Sequence, residues 1–413
     1  MNWSPQQEKT LKSVSEWLKT GTHKQQVYRV FGYAGTGKTS LAKHLVEDVC
    51  GDVYFAAYTG KASLVLKQKG CPNTSTLHQL AYTPTGNDAK TYEEIKAAIT
   101  EFEDSLRKAG THEADIVTNQ RLLQLKVMLA EEHVKAKRPR FHLNMDSVLT
   151  DAALLVVDEC GMVDVPMGED IESFGCPILV LGDPAQLRPV KGTGYWTMSN
   201  PDVMLTEIHR QAADNPIIKL ATLARERKPL PLGTYGDSRV ISKSELREHP
   251  EYAQGAGVVL CGTHKTRIPG NARMRELLGK TGKLPQVGDK LVCMRNSKEL
   301  GLLNGGLWEV LEVHAIGEET MTVSLSSLDL PQTLHCIDID ILYFNTDGKE
   351  ELPFWETGVG RFDYGYLLTV HKAQGSQWDD VLTIDESSVF RQDRYAHLYT
   401  AITRASETAT VAI

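Results

Sequence analysis

Short apolar runs alternate with amphipathic stretches near the start of the chain. Residues 27–31 and 53–57 are rich in β-branched and aromatic side chains, and a helical pattern covers residues 39–49 between them. Strands that alternate with helices are typical of a parallel sheet with helices on its faces. The same apolar pattern returns at residues 154–157, 178–181, 258–261, 366–370, 381–384 and 410–413. We therefore predict an α/β protein with two parallel-sheet domains.

Two segments break this α/β pattern. Between residues 82 and 144, apolar side chains recur at helical spacing at Ile95, Ile99, Phe102 and Leu106, and again at Leu122, Leu125 and Leu129. This spacing predicts two amphipathic helices, which a basic segment at 135–140 and a short run at 141–143 follow. Residues 286–360 have short strand patterns separated by Gly-Asp and Asn-Gly turns, which predicts a small β unit inserted into the second α/β domain.

A length of 413 residues allows two to four domains. We expect the first domain to comprise residues 1–81 and 145–205, with the segment 82–144 inserted into it. The second domain comprises residues 206–285 and 361–413, with the β unit 286–360 inserted into it.

Composition changes this picture little. Hydrophobic residues make up 41% and charged residues 24% of the chain, which is typical of a globular protein. The net charge of -8 argues only weakly against binding nucleic acid, because such binding depends on local charge along a groove. The seven cysteines form no C-x-x-C pair, so we expect reduced thiols rather than a zinc site or disulfides. The chain has no apolar run of about 18 residues, so we expect a soluble cytoplasmic protein without a membrane partner.

The segment from Gly32 to Thr39 matches the pattern G-x-x-x-x-G-K-[ST] between a strand and a helix. Its backbone N–H groups and the helix N-terminus suit phosphate oxygens. In this pattern the lysine, Lys38, reaches the β- and γ-phosphates of ATP, and the hydroxyl of Thr39 binds Mg²⁺. The expected nucleotide-binding residues are Gly32, Ala34, Gly35, Thr36, Gly37, Lys38, Thr39 and Ser40.

Two acidic residues, Asp158 and Glu159, end the buried strand pattern at 154–157. Carboxylates at the end of an apolar strand are costly unless they serve a function. Downstream of a phosphate loop, Asp158 is placed to hold Mg²⁺ and Glu159 to polarise the attacking water.

The segment 181–190, with Gly182, Asp183, Gln186, Leu187 and Pro189, resembles motif III of superfamily 1 helicases in the RecD-like and Dda-like branch. Other segments resemble further helicase motifs in the right order, at residues 4–7, 58–62, 75–78, 205–211, 368–376 and 399–405. The matches span most of the chain and are most similar to small phage Dda-type helicases of superfamily 1B. The resemblance implies two RecA-like domains, with a pin or helical insertion in the first and an SH3-like β insertion in the second.

The same resemblance implies roles for single residues in ATP hydrolysis. Gln186 would sense the γ-phosphate, and Arg210 and Arg404 would reach into the cleft from the second domain as arginine fingers. Gln7 would read adenine, and Gly375 would contact the nucleotide. His209 would stack on adenine or pack at the end of a helix.

On the nucleic-acid side, the resemblance implies phosphate contacts that do not depend on sequence. The expected residues are Thr59, Lys61, Thr76 and His78 in the first domain and Thr369, His371 and Lys372 in the second. Phe141 matches the place of an apolar wedge that separates strands, and a residue of a core strand is the alternative.

The family implies ATP-driven movement in the 5′ to 3′ direction along single-stranded DNA, and unwinding at junctions between single and double strands. It also implies a monomer that works in phage replication or recombination, with a single-strand-binding protein or a replisome component as partner. An RNA motor, or an ATP-dependent remodelling protein that does not unwind, stays compatible with the motifs. A small-molecule kinase is disfavoured by the segments 182–190 and 403–405.

Overall fold

The computed structural model describes residues 3–85, 88–136, 140–189, 192–207, 215–346 and 358–413. Of the predicted site residues, Arg210 lies outside these ranges, as does His209. The basic segment 135–140 is described only at its two ends.

Within the described residues, the first sheet has six parallel strands in the order β3-β2-β6-β7-β1-β8. They are β1 (Val27–Gly32), β2 (Val53–Ala57), β3 (Thr74–Thr76), β6 (Leu154–Asp158), β7 (Ile178–Gly182) and β8 (Val203–Leu205). Successive side chains on a strand point to opposite faces. Val156 therefore joins one apolar cluster and Val157 another, so that both faces of the sheet are covered.

The helices of the first domain connect these strands. They are α1 (Pro5–Thr20), α2 (Lys38–Ala42), α3 (Gly60–Gln68), α4 (Leu77–Ala81) and α8 (Val165–Ser173). Short 3₁₀ turns of this domain lie at His44–Val46, Val148–Thr150, Cys160–Met162 and Trp196–Met198, and another lies in the second domain at Ser387–Asp393. The continuous helix predicted over residues 39–49 is thus wrong, since α2 ends at Ala42 and a 3₁₀ turn follows.

A two-stranded antiparallel ribbon of β4 (Tyr82–Thr85) and β5 (Arg140–Leu143) leaves the first domain. It carries three helices, α5 (Asp88–Lys108), α6 (Glu113–Val117) and α7 (Gln120–Ala136). Ile95, Ile99 and Leu122 are buried between them, as the helical spacing in the sequence predicts, and Ile116 of α6 joins this cluster. The short helix α6 was not predicted.

The second sheet has the order β18-β11-β19-β20-β10-β9 among the described strands. They are β9 (Gly233–Tyr235), β10 (Ser238–Ile241), β11 (Val258–Cys261), β18 (Leu367–Thr369), β19 (Trp378–Ile384) and β20 (Ala405–Ala412), and only β9 runs antiparallel. The helices are α9 (Pro216–Arg225), α10 (Lys243–Glu248), α11 (Glu251–Gly255), α12 (His264–Leu277) and α14 (Arg394–Ile402). The two parallel sheets confirm the predicted fold class.

The β insertion is a third sheet with the order β16-β15-β14-β13-β12-β17 in the described ranges. Its strands are β12 (Lys290–Cys293), β13 (Leu307–Ile316), β14 (Thr320–Ser327), β15 (Thr333–Asp340), β16 (Val359–Gly360) and β17 (Phe362–Tyr364), with helix α13 (Leu342–Asn345) after β15. The two edge strands, β16 and β17, are separated only by Arg361, so the sheet curls until its edges meet. Since β17 belongs to this sheet, the sheet extends past the predicted boundary at residue 360.

Candidate nucleotide cleft and nucleic-acid interface

The loop between β1 and α2 is shaped by its glycines. Gly35 and Gly37 have φ angles of 80° and 79°, in the left-handed region that glycine adopts without strain. A Cβ atom on Gly32 would lie 2.7 Å from the hydroxyl of Thr36 and 2.8 Å from Cβ of Leu205. These positions require glycine, and the loop can therefore expose backbone N–H groups at the start of α2.

Lys38 folds back over this loop. Its Nζ donates to the carbonyl oxygens of Gly32 at 2.6 Å and Tyr33 at 3.1 Å, and it lies 4.0 Å from Oδ2 of Asp183. The ammonium group is thus already placed at the loop that the sequence assigns to phosphate.

Thr39 and Asp158 lie side by side, because the hydroxyl of Thr39 donates to Oδ2 of Asp158 at 2.8 Å. A hydroxyl and a carboxylate are the hard oxygen ligands that Mg²⁺ prefers, so this pair fits the expected ion. Burial raises the pKa of Asp158, while the hydrogen bond from Thr39 lowers it. A divalent cation beside this buried carboxylate would stabilise its charged form.

Glu159 adopts a left-handed conformation with φ 51°, which bends the chain directly after β6. Its N–H donates to Oδ1 of Asp158 at 2.8 Å. Burial raises the pKa of Glu159, and the positive charge of Arg404 acts in the opposite direction. A carboxyl group with a raised pKa is suited to accept a proton from water.

The second domain closes the other side of this cleft. A cavity of about 330 Å³ is lined by Lys38, Thr39, Asp158, Glu159 and Gln186 from the first domain and by Gly375, Ser376, Gln377, Thr403 and Arg404 from the second. The structure therefore brings the predicted residues Gln186, Gly375 and Arg404 to the phosphate loop.

Arg404 is held from behind by its own domain. Its guanidinium donates to the carbonyl oxygens of Ser376 and Thr400, both at 3.1 Å, and to the hydroxyl of Thr403 at 3.2 Å. The side chain is buried. These contacts fix the direction of the guanidinium before any ligand binds.

Residues that the sequence did not single out tie the two domains together. The hydroxyl of Tyr399 donates to Asp183 at 2.7 Å and accepts from the N–H of Ala34 at 2.8 Å. The hydroxyl of Thr400 accepts from the N–H of Leu187 at 2.9 Å, and Gln374 donates to the carbonyl oxygen of Leu187 at 2.9 Å. All of them lie within the helicase-like segments, but only the fold shows that they meet.

Gln7 is placed behind the phosphate loop. It is 2% exposed, and its Nε2 donates to the carbonyl oxygen of Thr36 at 3.0 Å. Its Oε1 accepts from the N–H of Ser4, as part of the capping box that starts α1. In this structure Gln7 supports the loop, and adenine recognition by its amide stays a prediction.

In the first domain, two predicted DNA contacts are helix caps. Thr59 caps α3 and Thr76 caps α4, each through its side-chain oxygen. Lys61 departs from the expectation of a free phosphate contact, because it is buried and its Nζ donates to Asp329 of the β insertion at 2.8 Å. The ammonium also lies 4.2 Å from the centre of the Trp378 ring.

In the second domain, Thr369 ends β18 and Lys372 lies in the turn that follows. The hydroxyl of Thr369 accepts from the N–H of Lys372 at 3.3 Å. The ammonium of Lys372 donates to Asn304 of the β insertion, and burial lowers its pKa. Like Lys61, it is engaged with the β insertion rather than free for phosphate. His371 is half-buried beside Phe390, with ring centres 5.5 Å apart.

Phe141 lies on the ribbon with 47% of its side chain exposed. Its ring centre is 6.1 Å from that of His78 and 6.4 Å from that of Tyr82, and His78 also meets Tyr58 at 5.5 Å. The alternative of a core strand residue is therefore wrong for Phe141. His78 and Phe141, far apart in sequence, belong to one aromatic cluster at the base of the ribbon.

None of the described helices is both long enough and apolar enough to cross a membrane.

Residues 4–245 match the model of the AAA domain family, and residues 364–412 match that of the UvrD-like helicase C-terminal domain. The first match alone covers more than half of the chain. The chain belongs to the AAA domain family. These matches and the relatives below agree with the predicted resemblance to superfamily 1 helicases of the RecD-like branch.

Among curated relatives, the ATP-dependent RecD2 DNA helicase of Deinococcus radiodurans is 27% identical over 285 residues, covering 62% of this chain and 35% of that protein. The conjugal transfer protein TraA of Agrobacterium fabrum is 24% identical over 293 residues, covering 63% of this chain and 24% of that protein. The chain thus spans about a third or less of the length of these relatives.

Among solved structures, Pif1 helicase from Candida albicans has a TM-score of 0.53 at 16% identity, covering 100% of this chain and 94% of that one. Bacteroides Pif1 bound to single-stranded DNA has a TM-score of 0.53 at 17% identity, covering 99% of this chain and 92% of that one. Likeness at this level of identity supports the fold. The narrower resemblance to small phage helicases stays a prediction.

Proposed function

We propose that the chain is an ATP-dependent DNA helicase that moves in the 5′ to 3′ direction along single-stranded DNA. The observation that carries this proposal is a single cleft. It places Lys38 and Glu159 of one parallel-sheet domain opposite Arg404 of the other. Hydrolysis in such a cleft depends on how close the domains are, which links ATP chemistry to domain motion.

The residues of the cleft have separate roles in hydrolysis. Thr39 and Asp158 would hold Mg²⁺, which neutralises phosphate charge when it is bound. Lys38 turns from the loop carbonyls to the β- and γ-phosphates. Glu159 accepts the proton of the attacking water, and Arg404 stabilises the negative charge that develops on the γ-phosphate oxygens.

The cleft and the proposed DNA track share a short piece of chain. Gly375, which lines the cleft, follows Lys372 by one turn, and its φ of 73° requires glycine. A Cβ atom on Gly375 would lie 2.9 Å from both Thr59 and Ala62 at the start of α3. Opening the cleft therefore moves the turn that carries Thr369 and Lys372 relative to the helix that carries Thr59.

These paired contacts support movement along one strand. Hydroxyl and amide groups on two domains would hold successive phosphates without reading bases. We propose that the aromatic cluster of His78, Tyr82 and Phe141 meets the duplex at a junction, with Phe141 as the wedge. One Bacteroides Pif1 structure is bound to single-stranded DNA, and another Pif1 structure addresses unwinding at forked duplex DNA, which agrees with this class of substrate. We further propose that the chain acts as a monomer in replication or recombination, with a single-strand-binding protein as a candidate partner.

Unwinding of duplexes with a 5′ or a 3′ single-stranded tail tests the proposal. We expect ATP-dependent unwinding from the 5′ tail, and none with Lys38→Ala. Preference for the 3′ tail would contradict the assigned direction. ATPase activity that RNA stimulates and DNA does not would favour an RNA motor, and stimulated ATPase without unwinding would favour a remodelling protein.

A further inference from the structure

The hydroxyl of Tyr399 joins both sides of the nucleotide cleft. It accepts from the N–H of Ala34 in the phosphate loop and donates to Oδ2 of Asp183 at the end of β7. Tyr399 itself lies in α14 of the second domain and is 1% exposed. Burial raises the pKa of this phenol, so the hydroxyl stays protonated and remains a donor.

The oxygen that Tyr399 contacts also faces the lysine of the phosphate loop. Oδ2 of Asp183 lies 4.0 Å from Nζ of Lys38, and the Asp183 side chain is 0% exposed. The other oxygen of Asp183 accepts from the N–H of Ala185 at 3.0 Å. A carboxylate shielded from water attracts an ammonium group strongly, so Asp183 competes with ATP phosphates for Lys38.

We propose that Tyr399 is a positioning residue that releases Lys38 from Asp183 when the cleft closes. In the closed cleft the phenol satisfies Oδ2 of Asp183, which weakens its hold on Lys38. When the second domain moves away, Tyr399 leaves with it and Asp183 draws the ammonium back. Lys38 then reaches the γ-phosphate only while the domains are together. This proposal deepens the proposed function and rests on it.

The neighbouring cross-cleft bonds provide a matched comparison. Thr400 follows Tyr399 in the same helix, but its hydroxyl accepts from the backbone N–H of Leu187 and makes no contact with Asp183. Thr400→Val removes one bond across the cleft, whereas Tyr399→Phe removes two, the contact with Asp183 and the contact with the N–H of Ala34. The Thr400 variant leaves the carboxylate and the lysine unchanged. Tyr28→Phe controls for loss of a tyrosine hydroxyl elsewhere, since that group pairs with Ser13 at 2.6 Å.

The test measures binding of a fluorescent non-hydrolysable ATP analogue with single-stranded DNA present. Tyr399→Phe should weaken binding by about 10- to 100-fold, the worth of a hydrogen bond to a charged group. In an Asp183→Asn background the same change should cost clearly less, about as much as Thr400→Val. The bond to the N–H of Ala34 is still lost, but no carboxylate remains to hold Lys38. Thr400→Val should cause the same loss in both backgrounds, and Tyr28→Phe none.

Equal losses for Tyr399→Phe with and without Asp183 would overturn the proposal, and would leave Tyr399 as one bond among several that close the cleft. Equal losses of binding for Tyr399→Phe and Thr400→Val in the wild-type background would overturn it as well. Because the readout is binding, it stays measurable if Asp183→Asn is inactive. If wild-type ATPase is not stimulated by DNA, the proposed function fails, but the coupling between Tyr399 and Asp183 can still be read.

Discussion

The ammonium of Lys61 lies 2.8 Å from a carboxylate oxygen of Asp329, which joins the first parallel-sheet domain to the β insertion. The two side chains are only 9% and 12% exposed. Asp329 also accepts from the N–H of Leu307 at 2.7 Å. A DNA phosphate that reaches Lys61 must therefore take the place of Asp329.

This competition predicts the effect of Asp329→Asn. The amide keeps an acceptor for Leu307 but leaves the Lys61 ammonium without a counter-charge, at a cost of about 1–3 kcal/mol in the free energy of unfolding. A phosphate would restore the charge pair, so we expect about fivefold tighter binding of oligothymidine. Fluorescence anisotropy measures the affinity, and thermal unfolding with and without the oligonucleotide measures the stability.

Asp338→Asn is the matched control, because it removes one negative charge from an exposed position in the same sheet. It should change DNA affinity little at moderate salt. Affinity that stays at the wild-type value in Asp329→Asn would show that Lys61 anchors the β insertion and does not hold DNA.

Glu159→Gln should slow hydrolysis without preventing nucleotide binding. The amide cannot accept the proton of water, and loss of a general base costs about 10²–10⁴-fold in kcat. Steady-state ATPase assays and binding of a fluorescent nucleotide separate the two effects. Loss of binding together with turnover would point to a structural role for Glu159.

Arg404→Ala should lower kcat by about 10³-fold or more, since an arginine finger stabilises the charge of the transition state. Arg404→Lys should recover little, because a single ammonium cannot keep the three hydrogen bonds and also reach the phosphate. DNA affinity without nucleotide should stay unchanged in both variants. A kcat near the wild-type value would remove Arg404 from the catalytic residues.

Phe141→Ala should reduce unwinding while sparing DNA-stimulated ATPase. The ring is 47% exposed, so its removal creates no large cavity. The measurement compares the unwinding rate of a 5′-tailed duplex with ATPase on single-stranded DNA. Val127→Ala, at a 58% exposed position on the helices of the same ribbon, is the control. Unwinding at the wild-type rate would exclude Phe141 as the wedge.

Stability should fall in mild acid because of His397. Burial, with help from His371, lowers its pKa to about 4, and within the described residues neither ring nitrogen has a hydrogen-bond partner. The unfolded chain takes up this proton near pH 6.5, so it binds more protons than the folded state between about pH 6.5 and 4. Between pH 7 and 5 this residue should cost about 2 kcal/mol of the free energy of unfolding.

Urea denaturation at the two pH values measures this loss. His397→Phe keeps a ring against Phe390, where the native ring centres are 4.1 Å apart, and removes the proton. The difference between pH 7 and 5 should shrink in this variant by the same amount. An unchanged difference would place the acid sensitivity in other groups.

Local patterns predict the parts of the cleft that neighbours in sequence determine. The phosphate loop needs glycines and a lysine between a strand and a helix, which a local motif shows. Thr39 follows the loop after one predicted strand and Asp158 ends another, so their meeting at the edge of a parallel sheet could be predicted. Tyr399 and Asp183 are 216 residues apart, and Lys61 and Asp329 are 268. Pairs at such distances arise only from the arrangement of domains, which periodicity does not encode. The end of α2 at Ala42 could not be predicted either, because apolar residues continue at helical spacing beyond it.

The ribbon of β4 and β5 has a consequence for how this protein could change over evolution. The helices between Asp88 and Ala136 enter and leave through two adjacent strands, and Asn144 rejoins the first domain by donating its N–H to Ala81 at 2.8 Å. The sheet that ends in Asp158 and leads into the phosphate loop with Lys38 is complete without strands from this segment. An insertion or replacement between β4 and β5 would therefore leave the first parallel sheet intact. We expect this segment to tolerate larger changes in length and sequence than the sheet does.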